Sequence, residues 1–198
     1  MPFGSLVQIA NGKLFGMTSK GGKNNKGVIF EYDLKQNLFN KLLDFNGLSG
    51  STPFGNLIQS FNGKLYGITK NGGSNDTGVL FEFDPDKKSY RKIEDLNSNI
   101  GYEPYGSLLQ ANNGKLYGLT SKGGKNNLGV LFNYNPKSDE FLKLHDFDSI
   151  TGFQPYGSLI QGFDNKLYGI SYSGGSNNNG VIFKFDPDNS IYTILHNL

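Results

Sequence analysis

The chain has 198 residues, of which 36% are hydrophobic and 14% aromatic, with 28 Gly and no Cys or Trp; it carries enough apolar material for a sizeable core, and its aromatic content argues against simple disorder. Its formal charge is +2, from 18 Lys and a single Arg against 17 acids, without the basic stripe and bidentate arginines of nucleic-acid surfaces, so no nucleic-acid partner is expected. The lack of cysteine removes disulfides, thiolate nucleophiles and cysteine metal sites, and no apolar run reaches the roughly 18 residues of a membrane span.

The first segments read as short strands separated by turn formers: residues 4–10 (GSLVQIA), 13–19 (KLFGMTS), 27–33 (GVIFEYD) and 38–45 (LFNKLLDF). Between the first two stands Asn11-Gly12, a dipeptide suited to the left-handed backbone of a tight hairpin. The third strand places Val28, Phe30 and Tyr32 on one face, while Ile29 and Glu31 make the other apolar at one end and polar at the other. A strand with a partly apolar second face belongs in stacked sheets, not in one sheet over water.

The same phrases return 51 residues apart without an insertion. GKLFGMTSKGG at 12–22 becomes GKLYGITKNGG at 63–73, GKLYGLTSKGG at 114–124 and NKLYGISYSGG at 165–175. Units of roughly 2–45, 53–96, 104–147 and 155–198 follow, joined by connectors 46–52, 97–103 and 148–154, all read as one domain over 2–198. In the fourth unit Asp164-Asn165 replaces Asn-Gly, and the third-to-fourth turns carry DPDKKS at 84–89, NPKSDE at 135–140 and DPDNS at 186–190.

Four meander sheets bury both faces when packed around an axis. The expectation is therefore an all-β β-propeller with four blades of four antiparallel strands per chain. A β-sandwich, which rarely keeps a gapless repeat of this length, and a linear β-solenoid, whose coils are usually shorter, are the competitors. No strand is held back to clasp the last unit to the first, so the ring would close by face packing alone. Otherwise two chains would form a homodimer with an eight-bladed ring, or units would stack head to tail.

KLYGITKNGG (64–73), VLFEFDP (79–85) and YRKI (90–93) resemble a kelch repeat, although Phe39, Tyr90, Phe141 and Tyr192 stand where kelch blades place tryptophan. The P-x-G-x-L, L-Y-G-x-T, G-G and G-V-x-F phrases are more similar to the bacterial Gloeobacter and Verrucomicrobium repeats over all four units. Both resemblances imply a repeat architecture and almost nothing about activity.

Repeated residues supply the candidate contacts. Gly16, Gly67, Gly118 and Gly169 sit inside a strand, where glycine permits a close approach at the narrow inner region of a ring. The Gly-Gly pairs match no phosphate-binding loop. Asn24, Asn75, Asn126 and Asn177 recur in the loop after each pair, as a polar rim for a glycan or protein or as loop caps. Gln8, Gln59, Gln110 and Gln161 recur on the first strand, facing an axis or bonding between units. Tyr102, Phe153 and Tyr172 offer rings for contact, and Asp44, Asp95, Asp146 and Asn197 suit caps of the following connector.

Catalytic constellations are thin. His145 and Asp146 are adjacent on a strand and point to opposite faces, and two histidines make no zinc site. The expectation is a non-enzymatic binding scaffold whose propeller loops contact a carbohydrate or protein, with no cofactor, no metal and no membrane insertion. The alternative is a structural or self-assembling repeat module, natural or engineered, with no small ligand; a hydrolase or lyase using an axial channel is a third reading. Such a chain would be soluble, and extracellular or at the cell surface if a signal has been removed.

Overall fold

A computed structural model describes all 198 residues. Sixteen strands form four separate antiparallel meanders. The first sheet holds β1 (Val7–Gln8), β2 (Leu14–Thr18), β3 (Val28–Asp33) and β4 (Leu38–Asp44); the second holds β5 (Ile58–Gln59), β6 (Leu65–Thr69), β7 (Val79–Asp84) and β8 (Ser89–Asp95). The third comprises β9 (Leu109–Gln110), β10 (Leu116–Thr120), β11 (Val130–Asn135) and β12 (Glu140–Asp146), and the fourth β13 (Ile160–Gln161), β14 (Leu167–Ile170), β15 (Val181–Asp186) and β16 (Ile191–Asn197). No helix is long and apolar enough to cross a membrane. The chain divides into two compact units, Met1–Leu96 and Asn97–Leu198, each with two sheets.

The first strand of each repeat is shorter than its sequence promises, with two paired residues in place of seven. Its leading Pro-aromatic-Gly cannot supply a ladder: proline lacks an N–H, and a Cβ at Gly4 would meet the Gly55 carbonyl oxygen at 2.7 Å. The Asn-Gly turn also differs from the two-residue form. Gly12 N–H donates to the Ile9 carbonyl at 2.9 Å and Ile9 N–H to the Lys13 carbonyl at 3.1 Å, so Ala10, Asn11 and Gly12 make a three-residue loop. Only Gly12 is left-handed, at φ +82°, and Asn165 takes its place in the fourth repeat at φ +62°.

The mid-strand glycines are explained within each sheet and not by crowding at an axis. Gly67 pairs with Phe81, whose ring folds across it; a Cβ there would lie 2.5 Å from Phe81 Cζ. Deleting that side chain lets the ring lie flat on its own sheet, and the other three repeats do the same with Phe30, Phe132 and Phe183.

Each sheet has two distinct faces. Face A carries Leu6, Val28, Phe30 and Phe39 in the first sheet; face B carries Val7, Phe15, Met17 and Ile29. Within Met1–Leu96, face B of the first sheet packs on face A of the second, joining Phe15, Met17 and Ile29 to Leu57, Val79, Phe81 and Phe83. Within Asn97–Leu198 the same order recurs: Tyr117, Leu119 and Leu131 of the third sheet meet Leu159, Val181, Phe183 and Phe185 of the fourth. Within each unit, stacking is therefore directional, with B of the leading repeat on A of the following one.

That order corrects the expected propeller. The strands lie in four separate sheets, none closed or curled into a blade, and two apolar faces are left uncovered. On face A, Leu6 is 53% exposed where its counterpart Leu57 is 2% exposed. On face B, Ile170 of the fourth sheet is 56% exposed against 4% for Leu119 of the third. An eight-bladed ring from two chains is likewise inconsistent with these open sheets.

Candidate functional site: the repeat interfaces and the uncovered sheet faces

The loop after each double glycine is held from within. Asn25, Asp76, Asn127 and Asn178 adopt positive φ, and their side-chain oxygens accept the N–H of Gly21, Gly72, Gly123 and Gly174 at 2.8–3.2 Å. One residue earlier, the amides of Asn24, Asn126 and Asn177 donate to the carbonyls of Phe45, Phe147 and Leu198. In the second repeat, which has Asn75 at this place, the Thr77 hydroxyl bonds the equivalent Leu96 carbonyl. The shared preference of Asn and Asp for left-handed turns was the signal for residues 25, 76, 127 and 178.

The strand-end acids cap a different loop from the one expected. Asp44, Asp95, Asp146 and Asn197 accept from the N–H of Lys23, Ser74, Lys125 and Ser176 at 2.8–3.1 Å, reaching back across the sheet instead of forward to the connector. Lys41, Lys92 and Lys143 pair with the three carboxylates. Burial raises the pKa of Asp95 and Asp146, but these bonds outweigh it and hold both below the ordinary carboxylate value.

The glutamines serve the first hairpin. Gln8, Gln59, Gln110 and Gln161 each donate Nε2–H to the carbonyl four residues on, at 3.0–3.2 Å. Gln161 also works between repeats: its Oε1 accepts the Asn112 N–H at 2.9 Å, while Ser158 Oγ accepts the Ser107 N–H at 2.8 Å. Tyr102 and Phe153 anchor their connectors by bridges to Lys122 and Ser173, and Phe153 packs on the core of its unit. Tyr172 is exposed and meets Tyr156 edge-on at 5.4 Å.

Two further polar side chains are drawn out of water, Glu82 within the second sheet and His145 where the third sheet meets the fourth. Glu82 is buried and receives Lys64 Nζ at 2.6 Å, Tyr66 Oη–H at 2.8 Å and Arg91 at 3.1 Å. Burial pushes its pKa up, yet the three donors win and leave it below the usual value. His145 lies flat on Tyr192 with ring centroids 4.0 Å apart and touches Phe147 edge-on. Burial pushes its pKa down, against the pull of Asp148 and Asp146, and its Nε2 has no partner. The recurrent tyrosines close the joints: Tyr90 and Tyr192 donate to the Ser49 and Thr151 carbonyls of the preceding connectors, both at 2.6 Å. No three His, Asp or Glu residues gather as a metal site.

An open concavity lies on the uncovered face B of the fourth sheet. It holds about 640 Å³ between Tyr156, Ile160, Tyr168, Ile170, Tyr172 and Ile182. In the first and third repeats the same face is filled by the following sheet.

Sheets that stack in one direction through repeated apolar faces define the class, a β-repeat protein. A Gloeobacter/Verrucomicrobia repeat model matches residues 1–198, and the chain belongs to that family; the kelch-like propeller expectation is corrected with the closed ring. Among solved structures it is similar to TolB from Acinetobacter baumannii, at 15% identity and TM-score 0.60 over 96% of this chain and 42% of that one. It is also similar to the extracellular domain of the putative one component system BT4673 from B. thetaiotaomicron, at 17% identity and TM-score 0.62 over 93% and 21%. A puromycin-hydrolyzing peptidase from Mycobacterium tuberculosis aligns at 12% identity and TM-score 0.65 over 98% and 29%. The chain thus spans less than half of each, and the likeness is one of fold. No curated protein matches.

Proposed function

We propose that this chain is a structural, self-assembling repeat module that works by protein contact through its sheet faces and takes no small ligand. The observation that carries the reading is the pair of apolar faces left open on the first and fourth sheets. Here Leu6, Ile160 and Ile170 keep the apolar character of their covered counterparts, which fits faces that are covered when the protein is at work.

This replaces a scaffold that binds through propeller loops. The recurrent loop asparagines and acids bond the chain's own backbone, a job each repeat needs for itself. The same support extends to a non-enzymatic reading, because His145 is stacked inside an interface and the buried Glu82 is held by three donors.

Sedimentation equilibrium from one to several hundred micromolar tests the module. The expected result is a mean mass that climbs above 21.8 kDa with concentration. A fixed 21.8 kDa mass throughout contradicts self-assembly.

A further inference from the structure

Resting on that reading, we infer that the hollow on the fourth sheet receives the first sheet of a second copy of this chain. Copies would thus join head to tail by the same B-on-A contact that joins their own repeats.

The template is present twice within the molecule, once in each unit. In the first unit Leu57 is the side chain of face A that presses against the preceding sheet, and Leu159 does the same in the second. Leu6 is their counterpart, and it stands in solvent. Around it, Leu14, Val28 and Phe30 repeat Leu65, Val79 and Phe81 without change of residue type. On the receiving side Ile160, Tyr168, Ile170 and Ile182 replace Leu109, Tyr117, Leu119 and Leu131, all apolar or aromatic. Face for face, the two uncovered surfaces are the two halves of a joint the chain already makes.

Aromatic and polar contacts keep the same register. Phe3 meets Phe54 at 4.7 Å, and Tyr105 meets Tyr156 at 5.0 Å, each ring touching its counterpart in the next repeat. Tyr156 of one copy would then meet Phe3 of the next, and both are exposed. Where Ser158 and Gln161 accept backbone N–H groups from the third repeat, the second copy brings Ser5 and Gln8, which can accept from Ser158 and Phe163. Phe39, at the place of Tyr90 and Tyr192, has no hydroxyl to leave unpaired in such a joint. Opposed surfaces of unlike kind make a heterologous contact, and each added copy presents a fresh end.

Single charges on exposed residues separate this arrangement from like-to-like pairing. Leu6→Asp blocks face A of the first sheet, Ile170→Asp blocks face B of the fourth, and Phe3→Ser with Ile160→Asp serves as a second pair. All four positions are exposed, so thermal unfolding in dilute solution should stay as in the wild type. Sedimentation should show each blocked chain at 21.8 kDa where the wild type associates, with self-affinity lowered at least tenfold, and an equimolar mixture forming a 1:1 complex that grows no further. Self-association of either blocked chain at wild-type strength, or a mixture that stays monomeric while the wild type associates, overturns the head-to-tail joint and leaves self-assembly standing. A wild type that never associates overturns both.

Discussion

Leu119 and Ile170 occupy the same place in consecutive sheets, yet one lies under the next repeat and the other faces water. Their neighbours match as well: Tyr117 and Leu131 in the third sheet answer to Tyr168 and Ile182 in the fourth. What differs is only whether a following face A is present. The comparison teaches that covering a face is a property of the stack, and that the residues for it are written into every repeat alike.

The largest effect should come from breaking the covered side of that pair. Leu119→Ala removes a side chain packed against the fourth sheet and should destabilise the Asn97–Leu198 unit by about 3 kcal/mol, the usual range for a buried Leu→Ala change. Ile170→Ala in dilute solution should fall within about 0.5 kcal/mol of the wild type. Chemical denaturation at low micromolar concentration reads both, and equal losses would remove the distinction between the faces.

A smaller, pH-dependent effect sharpens the contrast between the two units. His145, neutral in its stack, disfavours the proton that the unfolded chain binds with an ordinary pKa of 6.5. Its contribution is therefore complete above that value and is lost as pH falls from 6.5 through the lowered folded value. The first unit contains no histidine, and Leu43 stands at the equivalent place. There Glu82 has a folded pKa below its ordinary 4.5, so its contribution persists above 4.5 and disappears as pH falls through the folded value. Thermal midpoints followed by probes in each unit should drop first in Asn97–Leu198 on acidification, and His145→Leu should remove that early drop. A simultaneous decline of both units from pH 6.5 would contradict the assignment.

The repeat made much of this legible. A gapless period, alternating Val-x-Phe-x-Tyr/Phe strands and regular turn formers are enough to read four meanders of four strands, because each signal is local. Closure was not legible, since Leu6 and Leu57 are the same residue in the same context and only the presence of a neighbour separates them. Direction was hidden for a similar reason: Asp44 and its counterparts could cap either adjoining loop, and the antiparallel ladder turns them toward the double glycine. The loop asparagines came side by side in three repeats, so the left-handed residue could be placed only from the backbone.

Calorimetric unfolding of a chain lengthened by one repeat, with a copy of residues 46–96 following Leu198, tests most directly whether the fourth sheet's open face is a vacant stacking surface. The account predicts that the added repeat melts together with the Asn97–Leu198 unit, and at a higher temperature than that unit reaches in the original chain. A separate, lower transition for the added repeat, with the original midpoint unchanged, would contradict it.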